Sequence, residues 1–297
     1  MKILLFGRNG QVGWELQRSL APLGEVVALD SSGQDGLCGD FADAEGVART
    51  VRTVKPDAIV NAAAYTAVDK AESEAERAAQ VNALTPGAVA QAASEIGAWM
   101  LHYSTDYVFD GGGTRPWRED DATGPLSVYG RTKLDGERRI VAANPRHLIL
   151  RTSWVYAARG GNFAKTMLRL ARERDRLTVI DDQYGAPTGA DLLADVSAHA
   201  LRSLASGSGK PGVYHVAASG ETTWNGYARF VVGKAQQAGQ NIKAGPEQVD
   251  PVATSAFPTP ARRPHNSRLD TSRFRSTFGL VLPPWQQGVS RMLQEIL

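Results

Sequence analysis

The sequence predicts a doubly wound α/β fold, a parallel Rossmann-type sheet with helices on both faces, followed by a smaller C-terminal lobe. Three observations carry this. Short unbroken apolar runs alternate with helical patterns through the first half of the chain. The first of these runs passes straight into a glycine-rich segment, residues 7–13. The rhythm changes after about residue 155, and prolines then accumulate. Strands of a parallel sheet are buried on both faces, so they read as continuous apolar runs rather than as alternations. Their crossovers are right-handed.

Taken in order, residues 2–6 read as a strand, 11–23 as a helix and 25–29 as a second strand. A short third strand is expected just before Asp40. Residues 44–54 are helical, 58–62 a strand, 74–96 one long Ala-rich helix and 99–104 a strand. Helix 127–143 and strand 147–152 complete the first half. Helix 162–174, strand 177–180 and a Gly/Pro-rich loop at 182–188 follow. Helix 190–204 and strand 212–216 then return to the main sheet. Prolines at 246, 251, 258, 260, 264, 283 and 284 allow only short elements in the tail, closed by a last helix over 285–297. The expected division is a nucleotide-binding domain over 1–156, rejoined by about 190–217, and a lobe formed mainly by 157–297.

A length of 297 residues suits a main domain with a smaller lobe. A formal net charge of +2 argues against a nucleic-acid binder that relies on a broad basic surface. The single cysteine, Cys38, excludes an intramolecular disulfide and a cysteine zinc site, and fits a reducing compartment. The five histidines lie at 102, 147, 199, 215 and 265, none in a paired metal spacing. No run approaches the ~20 apolar residues of a membrane span. The expectation is a cytoplasmic protein with no membrane partner.

Gly7, Gly10 and Gly13 fall at i, i+3 and i+6, between a strand and a helix. Such a turn needs a positive φ. A diphosphate must approach the N–H groups of Gln11, Val12 and Gly13, where the helix dipole favours an anion. The spacing departs from G-x-G-x-x-G, but its place predicts a dinucleotide site. Asp30 ends the second strand, where an acid binds the ribose 2′-hydroxyl of NAD. Arg8 can instead pair with a 2′-phosphate. NADH and NADPH are both expected to be usable. Asp40 and Phe41 are placed to flank the adenine.

Tyr129 and Lys133 form Tyr-x-x-x-Lys on one helix face. Tyrosine has an ordinary pKa near ~10. A neighbouring ammonium lowers it, so that the phenol can protonate a carbonyl oxygen as hydride arrives at carbon. Chance alone gives about 0.2 such pairs in a chain of this composition, so location carries the assignment: the pair follows strand 99–104, at the carboxyl end of the sheet. That strand ends in Ser104 and Thr105, whose side chains point oppositely. Only one hydroxyl can orient a carbonyl, and spacing does not choose between them.

The glycine loop, Asn61-Ala62-Ala63-Ala64, Ser104-Thr105-Asp106 and Tyr129/Lys133 together resemble the extended short-chain dehydrogenase/reductases. Segments 61–69 (NAAAYTAVD), 102–109 (HYSTDYVF), 151–156 (RTSWVY), 162–170 (NFAKTMLRL), 183–189 (QYGAPTG) and 260–269 (PARRPHNSRL) resemble the dTDP-4-dehydrorhamnose reductase family over nearly the whole chain. The resemblance implies NAD(P)H-dependent reduction of the C4 ketone of dTDP-4-dehydro-L-rhamnose to dTDP-L-rhamnose, a precursor of cell-surface polysaccharide such as O-antigen, by a homodimer. It implies Thr105 as the catalytic hydroxyl, with Asp106 and Trp154 at the sugar. It implies a cofactor-lining segment at Ala62, Ala64, Tyr65 and Thr66, although Tyr65 stands where His is frequent. Arg8 matches another basic residue, consistent with tolerance for both cofactors. Glu15, Asp191 and Glu295 match an intersubunit Mg²⁺ site, although Asp191 stands where Glu is usual. Arg262 and Arg263, held among prolines, suit a diphosphate.

Two other readings are kept. A nucleotide-sugar 4,6-dehydratase or epimerase with tightly held NAD is the first, but a dehydratase needs a second acid where Tyr107 follows Asp106. The second is a regulatory subunit related to the beta subunit of methionine adenosyltransferase. The intact Thr105/Tyr129/Lys133 set argues against a purely regulatory role.

Overall fold

The computed structural model describes residues 1–297. The first half runs β1 (Lys2–Phe6), α1 (Gln11–Leu20), β2 (Glu25–Leu29), α2 (Ala44–Val54), β3 (Ala58–Asn61), α3 (Val68–Ala71), α4 (Ala75–Ala79), α5 (Thr85–Glu95), β4 (Trp99–Thr105), α6 (Val128–Ala143) and β5 (His147–Thr152). The second half adds β6 (Val155–Tyr156), α7 (Phe163–Glu173), β7 (Leu177–Ile180), β8 (Tyr184–Gly185), β9 (Thr188–Gly189), α8 (Ala190–Ala205) and β10 (Gly212–His215). It closes with β11 (Thr222–Thr223), α9 (Trp224–Gln237), β12 (Val249–Val252), α10 (Ser272–Phe278) and α11 (Trp285–Ile296).

Six strands form one parallel sheet in the order β10-β5-β4-β3-β1-β2. The alternation along β1 explains its two covered faces. Ile3 and Leu5 join Leu16 and Leu20 of α1 and Leu193 and Leu201 of α8. Leu4 and Phe6 join Val47 and Val51 of α2, Val89 of α5 and Ile140 of α6. Each such side chain contributes about 1.5–3 kcal/mol by leaving water. The second-half segment α8–β10 thus packs on the first-half sheet, with Val213 paired to Ile149 of β5. A separate core lies in the remaining C-terminal elements, where Leu168, Val179, Tyr227, Val231, Trp285 and Val289 cluster.

Four expectations change. No third strand precedes Asp40, because Gly33, Asp35 and Gly36 all take positive φ and leave only an isolated bridge, Gln34 to Leu37. The first helix ends at Leu20 and tightens into a 3-10 turn over Ala21–Leu23, which contains Pro22. The long helix is interrupted by a π turn, Gln80–Leu84, just ahead of Pro86, which has no N–H to donate to a regular helix. A 14-residue helix, α9, fills the stretch ahead of the proline-rich tail, where no element was expected, and is capped by Thr223, whose side chain accepts from Gly226 N.

Candidate active site

The glycine loop is built by backbone crowding. Gly7 has φ +83°, and a Cβ there would lie 2.6 Å from Ala63 N. A Cβ on Gly13 would fall 2.0 Å from Gly7 O, so only glycine lets α1 start this close to β1. Gly10 caps α1, and Trp14 N bonds its carbonyl at 2.9 Å. Gln11, Val12 and Gly13 therefore present the first N–H groups of the helix, ahead of its ladder. The Gln11 Oε1 atom is buried with no partner. A narrow cradle of free helix N–H groups fits the diphosphate of a dinucleotide, whereas the Gln11 carbonyl oxygen can accept only from a donor group such as a ribose hydroxyl.

At the end of β2, Asp30 accepts from Ser32 N at 2.9 Å, Arg8 Nε at 3.0 Å and Asn9 Nδ2 at 2.7 Å. The Ser32 N–H and then Arg8 hold its carboxyl below the ordinary range, against partial burial. Arg8 also donates to Gln34 Oε1 at 2.9 Å. The two groups expected to choose between 2′-hydroxyl and 2′-phosphate are thus bound to each other. Asp40 is exposed and accepts from Ala42 N at 3.0 Å in its own turn. Phe41 is buried edge-on to Phe6, with centroids 5.3 Å apart, so its ring belongs to the core rather than to an adenine pocket.

Ala62 and Ala64 are half-buried beyond β3, and Thr66 is exposed. Tyr65 is fixed by a residue with no sequence signal. Asn82, inside the π turn, accepts from Tyr65 N at 2.9 Å and donates to Tyr65 O at 3.1 Å. The Tyr65 hydroxyl donates to Glu74 at 2.8 Å.

The end of β4 separates the two candidate hydroxyls. Ser104 Oγ is buried without a partner. Thr105 donates to Asp106 Oδ1 at 3.1 Å and accepts from Tyr107 N at 3.2 Å, and it is close enough to Tyr129 to influence the phenol. Burial pushes the Tyr129 phenol up to about 12, the Thr105 hydroxyl opposes this, and Asp106 adds to it. Asp106 itself is pushed up to about 6 by burial, opposed by the neighbouring Ser267 and Thr105 hydroxyls, and its Oδ2 has no partner. The expectation that Lys133 lowers the Tyr129 pKa is not met in this state. The Lys133 ammonium group turns instead to Tyr103 O at 2.6 Å and His102 Nε2 at 3.2 Å.

Helix α6 is placed by its own cap and by close contacts. Ser127 accepts from Gly130 N at 3.1 Å, and Glu72 accepts from Val128 N at 2.8 Å. A Cβ on Gly136 would fall 2.1 Å from Asn82 O. One turn beyond Lys133, Glu137 takes both arms of Arg151, at 2.9 and 2.7 Å, in a buried pair.

Trp154 has φ +49° and stacks on Trp224, with centroids 3.7 Å apart. Trp224 Nε1 donates to Gln183 Oε1 at 3.1 Å. Gly185 makes room, since a Cβ there would lie 2.8 Å from the Trp154 ring. Trp224 was missed in the sequence because it lies in the helix that was not expected. The two tail arginines part company: Arg263 is paired to Asp69 of α3 at 2.7 Å, whereas Arg262 is exposed.

Glu15, Asp191 and Glu295 do line one cavity, but they do not form a metal-ligating cluster. Arg18 lies 3.5 Å from Glu15, and Arg291 lies 3.6 Å from both Asp191 and Glu295.

The chain matches the family model described as RmlD substrate binding domain over residues 1–297. It is 60% identical over 296 residues to the dTDP-4-dehydrorhamnose reductase of Escherichia coli K12, covering 100% of this chain and 98% of that one. The structure superposes with a TM-score of 0.88 on dTDP-4-dehydrorhamnose reductase from Bacillus anthracis in complex with NADP, at 32% identity and 99% coverage of both chains. A likeness to the Bordetella bronchiseptica enzyme WbmG in complex with NAD, at TM-score 0.78 and 21% identity, shows the fold alone.

Proposed function

The chain belongs to the RmlD substrate binding domain family, and from that premise we propose that it reduces the C4 ketone of dTDP-4-dehydro-L-rhamnose to dTDP-L-rhamnose. One observation carries the reading: Thr105 and Tyr129 lie together at the carboxyl end of the parallel sheet that also carries the glycine loop, with Lys133 one turn along α6 and bonded to Tyr103 O of β4. NADPH or NADH supplies hydride to C4 when bound. Gly7, Gly10, Gln11, Val12 and Gly13 hold the diphosphate, with Arg8 and Asp30 at the adenosine ribose. Ala62, Ala64, Tyr65 and Thr66 line the path toward the nicotinamide.

Thr105 holds the ketone oxygen beside the Tyr129 phenol. Tyr129 gives its proton to that oxygen as negative charge develops there. Lys133 stands one turn along, with donors left for the nicotinamide ribose. Trp154 and Asp106 position the sugar, and the exposed Arg262 meets the diphosphate. The NAD-dependent dehydratase and regulatory-subunit readings are not favoured. A cytoplasmic homodimer completes the proposal, supported by the single free cysteine and by the family resemblance.

The test is direct. Purified protein is mixed with dTDP-4-dehydro-L-rhamnose and each reduced cofactor, and nicotinamide absorbance is followed. Decay that needs the sugar supports the reading. Absence of decay with both cofactors refutes it.

A further inference from the structure

His102 is fully buried near the end of β4, and the proposed chemistry does not use it. Its Nδ1 lies 2.9 Å from Asn61 Nδ2, and its Nε2 lies 3.2 Å from Lys133 Nζ. The Asn61 amide cannot be turned over freely, because its Oδ1 accepts from Ala63 N at 3.0 Å. Its NH₂ therefore faces the histidine and donates to Nδ1. A neutral imidazole that accepts at Nδ1 carries its proton on Nε2. Burial, and then the charge of Lys133, keep His102 neutral by lowering its pKa.

We propose that His102 is a positioning residue: its Nε2–H, aimed by Asn61, is directed at Lys133 Nζ and sets how readily the lysine gives up its proton. An ammonium has three donors and no acceptor, so it meets this N–H with an N–H. A free amine has one lone pair and two donors. The lone pair accepts from His102, one donor serves Tyr103 O at 2.6 Å, and one remains for the cofactor ribose. Burial pushes Lys133 in the same direction, down to about 8.

The charged groups around the lysine are few. From α6, Glu137 favours the ammonium, but it is shared with Arg151 of β5. Tyr129 lies on the same helix face, and Asp106 lies beyond it, beside Thr105. From β4 come only His102 and a backbone carbonyl. The lysine is thus poised to change charge near working pH instead of standing as a fixed cation.

Two arms test this, and only the kinetic one rests on the reductase reading. In the first, ¹⁵N-histidine-labelled, cofactor-free protein is followed by NMR. One histidine is expected with Nδ1 bare and Nε2 protonated, without titration across about pH 5 to 9. Asn61→Asp is near-isosteric and replaces the amide donor with a carboxylate acceptor, so it is expected to swap that histidine to the Nδ1–H tautomer. An Nδ1–H tautomer in the parent overturns the proposal.

In the second arm, the alkaline limb of kcat/KM is compared among parent, Asn61→Asp and His102→Gln. Both variants offer the lysine an acceptor, and the limb is expected to move up by about one pH unit. A limb that stays in place, even with reduced kcat, reduces His102 to packing and overturns the proposal. If His102→Gln does not fold, Asn61→Asp decides both arms. A parent that does not reduce the sugar defeats the reductase reading, and the tautomer result still decides this one.

Discussion

Gly130 of α6 lies against the backbone of Tyr107: a Cβ at Gly130 would fall 2.3 Å from the Tyr107 carbonyl oxygen. That approach presses the first turn of α6 onto the segment after β4, and so brings Tyr129 to Thr105. The adjacent rings record the same contact, with Tyr107 and Tyr129 edge-on at 5.5 Å.

Gly130→Ala therefore displaces the phenol proposed as proton donor without removing it. Misplacement on the order of 1 Å costs roughly 10²-fold in rate, and kcat is expected to fall by about that much. Cofactor affinity, measured by quenching of protein fluorescence, should change less than kcat, because the diphosphate is held by the loop between β1 and α1 and not by α6. An unchanged kcat would mean that this contact does not set the geometry.

The Arg8–Asp30 pair predicts opposite shifts in cofactor choice. Arg8→Ala removes the guanidinium and leaves a carboxylate to repel a 2′-phosphate, so the NADPH to NADH ratio of kcat/KM should fall by about tenfold. Asp30→Ala frees Arg8 and should raise the same ratio. Steady-state kinetics with both cofactors read it, and shifts in the same direction would contradict the pairing.

Asp106 predicts a pH-dependent cost. Its carboxyl is pushed up to about 6 in the folded protein, from an ordinary value of 3.8. The protonated form is the one that the fold favours. Its stabilising contribution is complete below the ordinary value and is lost as pH rises through about 6. Asp106→Asn should therefore stabilise the fold relative to the parent at about pH 8 by on the order of 1–3 kcal/mol, read as a higher melting temperature. At about pH 4 the difference should be near zero. Paired thermal melts at the two pH values check both the sign and the window.

Much of this architecture was readable in the chain, because its signals are local. The strand-to-loop-to-helix run through Gly7 and Gly13, the Tyr129/Lys133 spacing and the unbroken apolar strands depend on neighbours in sequence. What was hidden depends on distant partners. Asn82 acts through a π turn that only the packing of α6 against Pro86's helix makes useful. His102 looked like one of five scattered histidines until β3 and β4 paired and set Asn61 beside it. Lys133 was expected to face Tyr129, and spacing gave no sign that a carbonyl and an imidazole on β4 would take its donors. The Asp40 segment misled because apolar character at Leu37 and Cys38 says nothing about three positive-φ residues just before them.

The Tyr129 phenol is the proposed proton donor to the ketone. Turnover of dTDP-4-dehydro-L-rhamnose by Tyr129→Phe and by the parent, beside the affinity of each for reduced cofactor, measures that role alone. The predicted result is a kcat lower by about 10²-fold or more with cofactor affinity retained. A Phe variant that turns over like the parent would contradict it.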